Sequence, residues 1–281
     1  MSGGFGERTR AGIRARGPLC VGIDPHPALL ESWGLGADAA GAREFGLRVV
    51  DAVADVVALV KPQVSFFERF GSLGFAALED VLAAARAAGL IVVADAKRGD
   101  IGSTMDAYAA AWLTPGSPLE ADALTVSPYL GVGALDGSLA LARSHGKGLF
   151  VLAATSNPEA RGLQGAGDAD GSSLSARVVA EVSARNAVEV QGDAWGSAGF
   201  VIGATVDWAD AGLEAFAPHA PILAPGFGAQ GAEPADLPAR FGTMAPCVIA
   251  SESRSILSAG PEGLADAAAT RAAQYQEALH G

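Results

Sequence analysis

The stretch Leu90-Ile91-Val92-Val93-Ala94-Asp95-Ala96-Lys97-Arg98-Gly99-Asp100 is an apolar run that breaks off into charge. An unbroken apolar run of this length, in place of strict alternation, marks a strand buried on both faces, as in a parallel sheet flanked by helices. Charge is costly inside such a strand and tolerable at its C-terminal end, where the active sites of barrel proteins collect. Asp95 and Lys97 lie two residues apart, so extended geometry predicts that both side chains aim the same way, towards the sheet's C-terminal mouth.

Outward from this segment, seven more short apolar runs repeat the theme: Leu19–Ile23, Val57–Val60, Ala123–Val126, Gly148–Ala153, Phe200–Ala204, Pro221–Ala224 and Cys247–Ala250. Helical patterns fill the gaps. One has Ser72 as its expected N-cap, Phe75, Leu78 and Leu82 at helical spacing, and Gly89 as its stop. Another carries Phe45, Val49, Ala52 and Val56 on one face, and the last starts near Pro261 and runs towards Leu279. Eight strand–helix units in one chain predict an α/β fold, a (β/α)8 TIM barrel forming a single domain over residues 1–281. A doubly wound sheet shows the same local alternation and is the alternative. The Gly- and Asp-rich segment from Asn157 to Ser172 reads as an insertion covering one end of the barrel.

Other strands also end in polar groups: Asp24 after the first, Lys61 after the second and Ser127 after the fourth. Together with Asp95 and Lys97 they form either a set of ion pairs closing the barrel top or a functional site, and their grouping at strand ends favours the site. The run Gly226-Phe227-Gly228-Ala229-Gln230-Gly231 matches a dinucleotide fingerprint, yet it comes late and precedes Pro234 and Pro238, which make a poor helix. What remains is a glycine loop whose backbone can approach an anion, at the place where such barrels bind phosphate. Arg254, in Ser251-Glu252-Ser253-Arg254-Ser255, is placed to grip that phosphate.

Composition narrows the classes further. The net charge of −12 opposes a nucleic-acid or anionic-membrane partner. The longest uncharged stretch, Ala215–Ala232, is broken by three prolines and three glycines and is no membrane span. Met1–Arg10 lacks an apolar stretch, so no signal peptide is expected. Cys20 and Cys247 are too few and too far apart for a disulfide framework, which suits a reduced cytoplasmic setting. His26, His145, His219 and His280 are scattered without metal-ligand spacing, so no metal is expected. The aromatic residues Phe66, Phe67 and Phe70 read as packing, because no basic stripe accompanies them.

With these residues in place, the chain resembles the orotidine 5'-phosphate decarboxylase family, in its longer bacterial form. The family's D-x-K-x-x-D element corresponds to Asp95, Lys97 and Asp100, and Val21–Asp24, Lys61–Gln63, Ala154–Ser156, Ala224–Gly231 and Ser253–Ile256 follow in the family's order. The resemblance implies decarboxylation of orotidine 5'-monophosphate to uridine 5'-monophosphate (UMP), with no cofactor. It implies that Asp24 and Lys61 hold the ribose, Lys97 delivers a proton and Asp95 faces the substrate carboxylate. Ser156 would read the pyrimidine amide, Gln230 and Arg254 would hold the phosphate, and Pro225 would join the substrate-binding positions. It further implies a homodimer in which Asp100 and Thr104 reach into the neighbouring subunit's site. Loss of CO2 from C6 leaves an in-plane lone pair that the ring cannot delocalise, so stabilisation must be electrostatic. The alternating Lys61, Asp95, Lys97 and Asp100 charges sum to zero and would hold Lys97 in place. Two alternatives stay open: a metal-dependent lyase or aldolase of a sugar phosphate, which shares the D-x-K-x-x-D element, and a nucleotide-sensing barrel that binds without reacting.

Overall fold

The computed structural model describes residues 3–280; the outermost positions of the expected 1–281 domain, and the first two of the Met1–Arg10 segment, lie outside them. Eight parallel strands close into a barrel in strict chain order: β1 (Leu19–Ile23), β2 (Leu59–Pro62), β3 (Ile91–Arg98), β4 (Ala123–Val126), β5 (Gly148–Ala154), β6 (Ala198–Ile202), β7 (Ile222–Pro225) and β8 (Val248–Glu252). Closure is made by β1 against β8, with Leu19 opposite Ala250 and Val21 opposite Glu252. A closed ring of sequential neighbours excludes the doubly wound alternative, whose strand order must reverse. β1, β2, β4, β6 and β8 are buried at every position, which is why they read as unbroken apolar runs.

The first helix, Phe5–Arg16, lies across the N-terminal end of the barrel. Phe5 is fully buried and meets Phe150 of β5 edge to face, with centroids 5.8 Å apart. Gly148, at the start of β5, makes this possible, because a Cβ there would fall 2.1 Å from the Phe5 ring. Arg8 then reaches Asp122, just before β4, at 2.9 Å. Among the described residues, no helix is long and apolar enough to cross a membrane.

Several boundaries differ from the sequence reading. The helix Gly71–Ala87 encloses Ser72, and its N-cap is Phe70 with no side-chain cap bond. Phe70 turns the chain in directly from the preceding short helix Ser65–Glu68, so no hydroxyl cap is needed. Gly89, with φ of 74°, stops it as expected. The helix Ala39–Val53 buries Phe45 and Val49 but ends before Val56, at its own turn towards β2. The segment after Asn157 is partly ordered into the short turns Pro158–Ala160 and Arg161–Gln164, and a bridge pairs Gly167 with Ser173.

Candidate active site

The C-terminal ends of the strands surround a cavity of about 300 Å³. Asp24, Lys61, Asp95, Lys97, Pro225, Gln230 and Arg254 all line it, on an apolar bed of Leu152, Val201 and Leu223. Seven of the ten site positions named from sequence are thus brought to one place. Charged groups gather on the β1–β3 side, and the Gly226–Gly231 loop and Arg254 face them from the β7–β8 side.

Asp95 is the centre of the charged side. Its carboxylate lies 3.0 Å from Lys61 Nζ on one oxygen and 2.5 Å from Lys97 Nζ on the other, and Lys61 Nζ stands 4.0 Å from Asp24. The four groups Asp24, Lys61, Asp95 and Lys97 sum to zero. Asp95 and Lys61 are 8% and 6% exposed, so neither charge would be tolerated alone. At 3.0 Å the Lys61–Asp95 attraction is about 5 kcal/mol for an effective dielectric near 20, before desolvation is counted. Burial pushes the Asp95 carboxyl up, but Lys61 and then Lys97 outweigh it and hold the group well below the usual carboxylate range. Burial likewise pulls the Lys61 ammonium down, and Asp95 followed by Asp24 outweighs that and holds it above the ordinary lysine value. Both therefore stay ionised across the neutral range.

The way Lys97 reaches Asp95 differs from the expected extended alternation. Between Ala94 and Arg98, β3 advances four residues while β4 advances two, from Leu124 to Val126. Lys97 sits in this irregularity with φ of 48°, the left-handed region, the one non-glycine residue there among those described. The backbone N–H of Lys97, turned out of the ladder, is taken by Thr125 Oγ1 at 2.9 Å, and the same hydroxyl donates to Asp95 Oδ1 at 3.0 Å. Thr125 thus ties the strained backbone to the carboxylate that holds its side chain. The sequence reading had named Ser127 as the polar group of β4, but Ser127 uses its backbone N–H on Arg98 O and lies outside the cavity lining. A threonine inside a fully buried strand was the signal for Thr125.

Three expected positions fall elsewhere. Asp100 accepts from its neighbour Ile101 N at 2.8 Å, and among the described residues no ion pair joins it to Lys97. The neutral array within the chain accordingly takes its second carboxylate from Asp24, not from Asp100. Thr104 is exposed on the helix Gly102–Leu113. Ser156 lines an adjoining cavity with Arg161, Gln164 and Asp207, while its neighbour Thr155 borders the main one. Gln164 of the Asn157–Ser172 segment folds back onto Thr155, accepting from its N–H at 2.8 Å and donating to its Oγ1 at 2.9 Å.

Two buried oxygens, Asp24 Oδ1 and Ser253 Oγ, lack a hydrogen-bond partner among the described residues, and both residues line the cavity. Unpaired buried polar atoms are rare, and at a cavity wall they are disposed to meet a ligand's polar groups. Arg254 has no carboxylate partner among the described residues, which leaves its guanidinium for an anion.

A closed (β/α)8 barrel with a self-neutralising lysine–aspartate array at one side of its mouth and a glycine loop with a free arginine at the other defines a barrel enzyme acting on a small anionic molecule. The family model described as Orotidine 5'-phosphate decarboxylase / HUMPS family matches residues 17–272. The chain belongs to that family. It is 52% identical over 261 residues to the orotidine 5'-phosphate decarboxylase of Salinispora tropica, covering 93% of this chain and 92% of the relative. It is 54% identical over 258 residues to that of Streptomyces coelicolor, covering 92% and 91%. A crystal structure from Streptomyces avermitilis, 50% identical, superposes with a TM-score of 0.94 over 99% of this chain and 97% of that one.

Proposed function

We propose that this site decarboxylates orotidine 5'-monophosphate to UMP and CO2, the last step of UMP synthesis, with Lys97 protonating a carbanion at C6. The observation that carries the chemistry is Asp95, buried and ionised between Lys61 and Lys97. The substrate's carboxylate lies against Asp95 and its phosphate in the Gln230 and Arg254 corner. The C6–carboxyl bond breaks and its electron pair stays on C6, where the Lys97 ammonium stabilises it. An ammonium ~4 Å from a full negative charge gains about 4 kcal/mol at an effective dielectric near 20. Lys97 Nζ then gives its proton to C6 and is reprotonated from solvent. Asp95, unable to accept that proton, repels the substrate carboxylate and favours its loss.

Asp24 Oδ1, unpartnered among the described residues, accepts from a ribose hydroxyl, and Lys61 donates to the same edge of the sugar. Pro225, at the end of β7, lines the same cavity, and Ser156 addresses the pyrimidine amide across Thr155. The sugar-phosphate lyase reading needs a divalent ion among these carboxylates. Here an ammonium, Lys61, already stands between Asp24 and Asp95, and among the described residues no group of three His, Cys, Asp or Glu is disposed to hold a metal.

The proposed working form is a cytoplasmic homodimer whose sites are completed by Asp100 and Thr104 of the neighbouring subunit. Asp100 and Thr104 do not line the cavity of their own chain, and the exposed apolar side chains Ile101, Tyr129 and Leu130 follow the ends of β3 and β4. The direct test is the fall in orotidine 5'-monophosphate absorbance on adding the protein, run with and without exhaustive chelation. Turnover that persists with EDTA is expected. Turnover that vanishes and returns with Mg2+ refutes this reading in favour of the lyase.

A further inference from the structure

The last residue of β8, Glu252, is fully buried two residues before Arg254, and its carboxylate takes part in none of the chemistry above. Three donors converge on it. Ser255 Oγ donates to Oε2 at 2.5 Å, Arg271 Nε to Oε1 at 2.6 Å, and the Tyr275 hydroxyl also to Oε1. Arg271 and Tyr275 lie one turn apart on the helix Gly260–His280, so one helix face supplies both. Burial, and after it the Glu252 charge, hold the Tyr275 phenol far above its ordinary value, so it remains a donor.

The glycine loop rests on this same cluster at two points, and the chain just past it at a third. Phe227 meets the Tyr275 ring edge to face at 5.5 Å. Gly228, with φ of 65°, comes so near that a Cβ would fall 2.4 Å from Glu252 Oε2 and 2.5 Å from Ser255 Oγ. Just past the loop, Glu233 pairs with Arg271 at 2.8 Å. Replacing a buried ion pair by apolar groups is often neutral or stabilising, so such a cluster is poor evidence for a purely stabilising role. Its position points to geometry.

We propose that Glu252 is a positioning residue for phosphate binding: through Ser255, Arg271 and Tyr275 it seats the Gly226–Gly231 loop on β8 and the last helix, and so sets Gln230 at its working distance from the anion. The inference rests on the reading of Gln230 and Arg254 as the phosphate grip. Glu252 touches no substrate atom; its effect passes through the loop.

The test is calorimetric binding of UMP and of uridine, which differ only in the phosphate, to the full chain and to Glu252→Gln. The variant keeps the shape but loses the charge that draws three donors together. UMP affinity is expected to fall about tenfold, while uridine affinity stays within twofold. Should Glu252→Gln fold poorly, Tyr275→Phe keeps the ring on Phe227 and removes one donor, and a loss of about threefold, again confined to UMP, is expected. Equal weakening of both ligands, which a merely structural role would give, overturns the proposal, as does unchanged UMP binding. Arg254→Ala separates the two layers. If it weakens UMP binding while Glu252→Gln does not, the phosphate grip stands and the positioning role falls; if Arg254→Ala leaves UMP binding intact, the grip itself is wrong.

Discussion

Thr125→Val removes one hydroxyl and nearly nothing else, yet that hydroxyl closes two bonds at the centre of the site. It donates to Asp95 Oδ1 at 3.0 Å and accepts from Lys97 N at 2.9 Å, where the backbone holds a φ of 48°. A hydrogen bond to a charged group contributes about 1.5–3 kcal/mol, and an unsatisfied buried N–H costs about 1–3 kcal/mol. A left-handed non-glycine residue holds a further strain of about 1–3 kcal/mol, which persists only while its surroundings enforce it. Losing the Thr125 acceptor lets Lys97 relax and swing its ammonium away from C6. If about 2 kcal/mol of this is lost from the transition state, kcat falls roughly 30-fold at 1.4 kcal/mol per decade. KM should change less than threefold, because Thr125 does not line the cavity. Steady-state decarboxylation, followed by absorbance, measures both. Thr125→Ser restores the hydroxyl and should recover kcat to within about threefold of the parent. The reasoning is refuted if Thr125→Val keeps the parent kcat, or if Thr125→Ser is as impaired as Thr125→Val, which would trace the loss to the missing methyl group.

Arg254→Ala should lower kcat/KM by roughly 100-fold, since a charge-assisted phosphate contact is worth several kcal/mol, and an unchanged kcat/KM removes Arg254 from the grip. Lys97→Ala and Asp100→Asn should each be nearly inactive alone, but co-expressed they should recover about a quarter of parent activity. Random pairing makes half the dimers mixed, and each mixed dimer has one intact site of two. No recovery in dimers shown to be mixed by differential tagging contradicts the shared site. Asp95, its folded pKa depressed, contributes stability that is present above the ordinary carboxylate value of about 4 and is lost as pH falls below it. Lys61, its folded pKa raised, keeps its contribution below the ordinary lysine value and loses it only as pH rises through the folded one. Urea melts should therefore show the gap between the parent and Asp95→Asn narrowing from pH 5 to pH 3 and holding steady from pH 5 to pH 9; a gap unchanged at pH 3 contradicts the assigned ionisation.

The barrel was legible because burial on both faces leaves a strand no polar positions to spend, so each of the eight runs stands out against its helices. Charge at the ends of those runs led straight to Asp24, Lys61, Asp95 and Lys97. What stayed hidden depends on departures from regular geometry. The irregularity in β3 leaves no mark in Asp95-Ala96-Lys97, which reads as plain alternation, so the two bonds of Thr125 could not be foreseen even though a threonine in a buried strand marks the position. Glu252, at the buried end of β8, drew no reading of its own, because its partners Arg271 and Tyr275 come from a helix 19 and 23 residues away. Ser72 was misread for the opposite reason: local chemistry suggested a cap where the chain's entry from the preceding turn had already set the helix start.

The helix Phe5–Arg16 precedes β1 in the chain, yet its N-terminal half is seated by residues far downstream of it. Its landing place is built from Phe150, Gly148 and Asp122, and the Arg8 contacts span 114 and 138 residues of intervening chain. Until β4 and β5 exist, Phe5 has nothing to pack on, and the entropy of closing so long a loop must be met before the contact returns anything. During synthesis the Phe5 side chain stays uncovered until β5, the fifth of the eight strands, has been laid down.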